Sequence, residues 1–177
     1  MAKWIIDPDH SVAAFSIRHM TVAFVHGQLN DVSGTIVFDP DNDTGMKIEF
    51  KIGVSSIITG IKKRDDHLKS ADFFDIEKFP EISFKSHKVR RTGDSRNRIS
   101  GSLTIHGITK TVTLDIDVAG PAKSTSGETS IGITGNTILN REEFAITWNQ
   151  PLQNNGVMVG KEVVISVDLE ADLTDAG

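Results

Sequence analysis

No cysteine occurs in the 177 residues, which excludes disulfides, thiolate metal centres and a cysteine nucleophile. Basic charge is also in short supply. With 24 acidic and 19 basic residues the net charge is −5, whereas a protein that neutralises phosphates carries a surplus of lysine and arginine. Nucleic acid is therefore not an expected partner. No apolar run reaches the length of a transmembrane helix, so no membrane-spanning segment is expected. The chain begins Met1-Ala2-Lys3-Trp4 and enters a strand-like segment without a basic region and apolar stretch before it, so no signal peptide is read. A cytoplasmic location is expected, or a periplasmic one if the chain is the processed form of an exported protein. Repeats, linkers and low-complexity tracts are missing, and the length suits one domain over 1–177.

What is present is alternation with a period of two, the pattern of strands that are apolar on one side only. Ala13, Phe15 and Ile17 share one face of a first strand, and Ile36 and Phe38 one face of Gly34–Asp39. Met46, Ile48, Phe50 and Ile52 alternate with Lys47, Glu49 and Lys51, and Ile82 and Phe84 with Ser83 and Lys85. Further strands carry Ile99, Leu103 and Ile105, then Val112, Leu114, Ile116 and Val118, then Ile131 and Ile133. A last one carries Val163, Ile165, Val167 and Leu169. About eight strands with a wet outer face imply an all-β antiparallel fold, a sandwich or an up-and-down barrel. A barrel of that size has an interior wide enough for one small ligand. Short turns at Asp39–Gly45 and His106–Thr109 connect strands. Two stretches, 55–78 and 140–160, break the rhythm and predict short helices, the second followed by a Gly/Asn-rich loop.

Chemistry-bearing motifs are sparse. His10 and His19 lie nine positions apart on one strand, which sets them roughly 30 Å apart and on opposite faces, so they do not share an ion. No histidine pair has metal-ligand spacing, and neither a metal nor a cofactor is expected. Asp39, Asp41 and Asp43 resemble a calcium loop, but Gly45 comes one position late and Phe50 stands where the bidentate glutamate belongs. Gly156–Glu162 lacks a spacer and the Ser/Thr of a phosphate-binding loop and leads into a strand. Asn42-Asp43-Thr44 is a glycosylation triplet that matters only after secretion, and no Gly-x-Ser-x-Gly elbow occurs. The densest polar cluster, Arg64-Asp65-Asp66-His67, supplies an acid, a base and a cation for catalysis, a set of helix-capping groups, or a pocket mouth.

The order of several blocks resembles the YceI-like, or polyisoprenoid-binding, family from Trp4 to about Ala171. The blocks are Trp4-Ile5-Ile6-Asp7-Pro8-Asp9-His10-Ser11 with Phe15–His19, Ser55–Asp75, Phe79–Ser86, Gly101–Lys110, Asn140-Arg141 and Glu162–Ala171. One departure is Ala145, where the family often has glycine. The resemblance implies a lipocalin-like up-and-down barrel around an elongated apolar cavity, without catalysis. The implied ligand is a long-chain isoprenoid, of quinone or polyprenyl type, or a similar amphiphilic lipid. The expected walls are Phe15, Ile17, Phe38, Ile48 and Phe50 together with Phe84, Leu103, Leu114, Ile133 and Ile165. Arg18, His19, Arg64, His67 and Arg141 are the candidates for the cavity mouth or a headgroup. Members often pair, so a homodimer is the expected assembly. Two other readings compete: a lipid-directed hydrolase or other enzyme using Asp66 and His67, and a solidly packed barrel that binds no small molecule.

Overall fold

The computed structural model describes residues 1–39 and 45–174. Nine strands follow in order: β1 (Ala2–His19), β2 (Ala23–Leu29), β3 (Val32–Phe38), β4 (Lys47–Gly53), β5 (Glu81–Arg91), β6 (Arg96–Ile105), β7 (Ile108–Lys123), β8 (Thr129–Asn140) and β9 (Val159–Leu173). From β3 to β9 each strand pairs antiparallel with the next, and β9 returns to β1. The ring is closed by the long first strand. One edge of β1 lies along β9, while its other edge is divided, Ala2–Ile5 against β3 and Ala13–His19 against β2. Eight strands thus close the ring, and β2 is a ninth beside β1. Closure removes most free edges.

Apart from β2, which the alternation does not mark, the strands form where it predicts, and the irregular points have local causes. Pro8 cannot donate to a ladder, and the β1–β9 register slips between Asp7 and Val12. The Ser11 hydroxyl fills the gap, donating to the Glu170 carbonyl at 3.3 Å and accepting from its N–H at 3.1 Å. This part of the Asp-Pro-Asp-His-Ser block is therefore a bulge. His106 and Gly107 both have positive φ, 51° and 72°, as a two-residue hairpin turn that matches strand twist requires. Of the irregular stretches, 55–78 holds a single α-helix, α1 (Lys62–Lys69), after a 3₁₀ turn at Val54–Ser56, and 140–160 holds a 3₁₀ turn at Arg141–Phe144 and then loop. No helix among the described residues is long and apolar enough to cross a membrane. The turn read at 39–45 and the Asn42 triplet fall, at positions 40–44, outside the described residues.

One end of the barrel is filled. Trp4, Ile36, Ile131, Ile133 and Ala171 are almost wholly buried there, and the Trp4 indole donates to the Phe38 carbonyl at 3.2 Å. The other end, bounded by the last third of β1 and the start of β9, is not filled in this way.

Candidate ligand cavity

At this second end the barrel encloses a cavity of about 200 Å³ whose accessible wall is entirely apolar. Phe15 and Ile17 enter it from β1, Phe50 from β4, Phe84 from β5 and Leu103 from β6. Leu114 of β7 and Ile165 of β9 complete the ring. Phe50 and Phe84 face each other across the β4–β5 pair with ring centroids 5.3 Å apart and nearly parallel. The Phe15 ring lies over Gly27, its partner on β2, where any Cβ would collide with it. Glycine there lets an aromatic ring lie flat against the wall.

Phe38, Ile48 and Ile133 do not line this cavity. All three are buried in the filled half. Alternation assigns a residue to the inner face of a strand, but not to a height along the barrel axis, and these three stand too far towards the closed end. The cavity also has walls that alternation does not mark. Leu68 of α1, with Phe73 and Phe74 just after it, covers one side of the mouth, and Phe144 and Ile146 cover another. Their signal in the sequence is a set of apolar residues inside otherwise polar, aperiodic connections. His67 meets Phe73 and Trp148 edge to face and Phe73 tilts against Trp148, with centroids 4.9 to 5.2 Å apart, and the three join the two connections across the mouth.

The five polar candidates divide. Arg18 and His19 border the cavity, and the Arg18 guanidinium lies 4.1 Å above the Phe24 ring. Arg141 also borders it, but its guanidinium is buried and turned to the backbone. It donates to the carbonyls of Gly160 (2.7 Å), Ile146 (2.8 Å), Trp148 (2.9 Å) and Val159 (3.3 Å). Burial pushes its pKa down, with nearby Glu142 opposing. Arg141 thus ties the 141–160 connection into a fixed shape. Arg64 and His67 are not among the cavity residues. Arg64 donates to the hydroxyl and carbonyl of Thr59 at 2.7 and 2.9 Å. Asp65 accepts from the Thr59 amide and hydroxyl, so this part of the cluster fastens the segment before α1.

Asp66 and His67, the pair named for the enzyme reading, do not bond to each other. Asp66 pairs with Lys62 one helical turn away, and His67 Nε2 lies 2.8 Å from Asp72. Helical geometry explains this, since adjacent residues on a helix point about 100° apart whereas i and i+4 share a face. One mixed cluster was not anticipated. The bulge places His10 Nδ1 2.6 Å from Asp7 Oδ2 and 3.9 Å from Glu170, so these three could together hold a metal ion. The Asp7 hydrogen bond raises the His10 pKa, and the same bond lowers that of Asp7.

The YceI-like domain model matches residues 4–171. A UPF0312 protein of Staphylococcus aureus (strain bovine RF122 / ET3-1) is 34% identical over 176 residues, covering 99% of this chain and 100% of that protein. A UPF0312 protein of Pseudomonas syringae pv. syringae is 34% identical over 147 residues, 82% of this chain and 77% of its own. Among solved structures, the Campylobacter jejuni YCEI protein superposes with a TM-score of 0.75 at 28% identity, covering 89% of this chain and 90% of that one. BcnA of Burkholderia cenocepacia does so at 0.81 and 23%, covering 93% and 98%. A polyisoprenoid-binding domain from Saccharophagus degradans does so at 0.70 and 12%, covering 98% and 99%. The last two likenesses are of fold.

Proposed function

This chain belongs to the YceI-like family, and from that premise we propose that it binds and carries or sequesters a long-chain isoprenoid, of quinone or polyprenyl type, with the tail in the apolar half of the barrel. The observation that carries the reading is the asymmetry of the interior. One half is packed by Trp4, Ile36, Ile131 and Ile133, and the other keeps a cavity of about 200 Å³ with no polar surface. Evacuated apolar space costs stability unless something fills it, and each methylene transferred into it from water gains about 0.8 kcal/mol. A tail is therefore held without specific polar contacts, and the headgroup remains at the mouth beside Arg18 and His19. Arg64, His67 and Arg141 take part only by shaping the mouth, because their polar groups already have partners in the protein. The domain of Saccharophagus degradans, described as polyisoprenoid-binding, shares this fold and supports the same ligand class here.

A non-enzymatic role fits the site. The accessible cavity wall is apolar, and Asp66 and His67 are paired with Lys62 and Asp72. The test is uptake of a long-chain prenyl quinone delivered from cyclodextrin, measured by gel filtration and calorimetry beside an unrelated β-barrel. Saturable uptake approaching one ligand per chain is expected. No uptake of the quinone or of a polyprenol, by protein first stripped of lipid, would overturn the proposal.

A further inference from the structure

We infer that the open end of the barrel is a membrane-docking face, which rests on a lipid bilayer while the cavity is loaded or emptied. The inference builds on the carrier reading but stands on different residues. Large apolar side chains exposed among the described residues are concentrated at this end. Met20, Val22 and Phe24 come from the β1–β2 hairpin, Ile58 and Ile61 from the segment before α1, and Val157 from the loop before β9. Val22 is 77% exposed. At the closed end Met1, Ile5 and Leu173 are comparable, and Ile138 and Val164 form a separate exposed pair on the outer wall of β8 and β9.

These segments are neighbours. The Met20 amide donates to the Met158 carbonyl at 2.8 Å, which seats the hairpin beside the 151–158 loop. Gln28 of β2 bridges to Ile58, and Thr59 lies against Gly27, which lays 58–61 along the free edge of β2. The apolar lip therefore borders the cavity on its β2 side, since Val25 and Leu29 of the same β2 line the cavity itself.

The hairpin tip is built against its own backbone preference. The Val22 amide closes the turn on the His19 carbonyl at 3.1 Å, and both central residues, Met20 and Thr21, have positive φ of 52° and 63°. Asn-Gly is the usual choice for such a turn, and a β-branched residue there is strained. A strained turn that holds methionine and valine in water points to use of those side chains rather than to folding.

A bilayer is the occupant these features fit. The apolar lip continues the apolar mouth, so a tail passing from membrane to cavity would not cross water. Arg18 over Phe24, and Lys63 two residues after Ile61, bring cations to the level of lipid headgroups, the arrangement of interfacial anchors.

The test is flotation of the protein with vesicles of phosphatidylcholine and phosphatidylglycerol. Wild type is expected to float. Met20→Asn with Thr21→Gly takes the methionine from the apolar tip and relieves the turn, so loss of binding by this pair is not a failure to fold. It should weaken partition roughly tenfold or more, as should Val22→Asp with Ile61→Asp, while Ile5→Asp at the closed end changes nothing. Absence of wild-type flotation, or flotation equal in all variants, would overturn the inference. So would a dimer abolished by Met20→Asn/Thr21→Gly without vesicle binding, which would assign the lip to a second copy of the chain. Uptake from cyclodextrin needs no vesicle. Uptake without flotation therefore refutes docking alone, and flotation without uptake refutes the carrier reading alone.

Discussion

Replacing Leu114 by tryptophan separates a hollow barrel from a packed one. Leu114 points into the cavity from β7, opposite Ile99 on β6. Tryptophan adds about the volume of two waters or two methylenes, ~60 Å³. In a packed core such an insertion costs about 1–3 kcal/mol. Here the indole has the cavity to enter, so the loss of stability in urea should stay under about 1 kcal/mol. The ligand pays instead. Displacing two methylenes of tail at about 0.8 kcal/mol each removes about 1.6 kcal/mol, or roughly 15-fold in Kd. Ile133→Trp is the control, because Ile133 is 1% exposed in the filled half. It should show the reverse pattern, destabilised by about 1–3 kcal/mol with tail affinity unchanged. Urea unfolding and calorimetric titration of a prenyl quinone read both quantities. A Leu114→Trp protein that is strongly destabilised yet binds normally would refute the reasoning.

Three further outcomes follow from single residues. Arg141→Met leaves four backbone carbonyls without their charged donor and should cost about 3 kcal/mol or more by urea unfolding, with Arg141→Lys recovering only part because an ammonium does not reproduce the fork; a neutral result for both would contradict the assigned role. Ala145 has φ of 57°, and Ala145→Gly should stabilise by about 0.5–1 kcal/mol, the left-handed penalty less the entropy glycine loses; a lowered midpoint would contradict it. His10 should titrate above an ordinary histidine in NMR, and Asp7→Asn should bring it down. Its stabilising contribution is full below the unfolded pKa, about 6.5, and is lost as pH rises through the raised folded value. The contribution of Asp7 is present above its unfolded pKa and lost as pH falls through its lowered one. A His10 that titrates normally in wild type would dismiss the pair.

The parts of the fold that were legible in the sequence were those where one rule acts alone. Strands from Lys47 onwards alternate because nearly all of their inner positions are apolar, buried Asn97 of β6 being an exception. The strand Ala23–Leu29 was not read, for a specific reason: its inward positions are Val25, Gly27 and Leu29, and the glycine that makes room for Phe15 also interrupts the pattern. The same limit applies to the cavity. Phe50 and Phe38 alternate identically, yet one faces the cavity and the other the filled core, because depth along the barrel is set by the stagger of neighbouring strands. Leu68, Phe73 and Phe144 reach the mouth through helix and loop geometry, for which no period exists. Arg64 and Arg141 have the residue type expected of a headgroup contact, but which oxygen each meets depends on how the chain folds around it, the Thr59 hydroxyl and carbonyl in one case and the Val159 and Gly160 carbonyls in the other.

The most direct test of the central claim is organic extraction of the purified protein followed by mass spectrometry, beside an unrelated β-barrel from the same host. The account predicts an isoprenoid or similar long-chain amphiphile near one per chain, absent from the control and reduced in Leu114→Trp. An extract with no such lipid, from protein that also refuses added quinone and polyprenol, would contradict it.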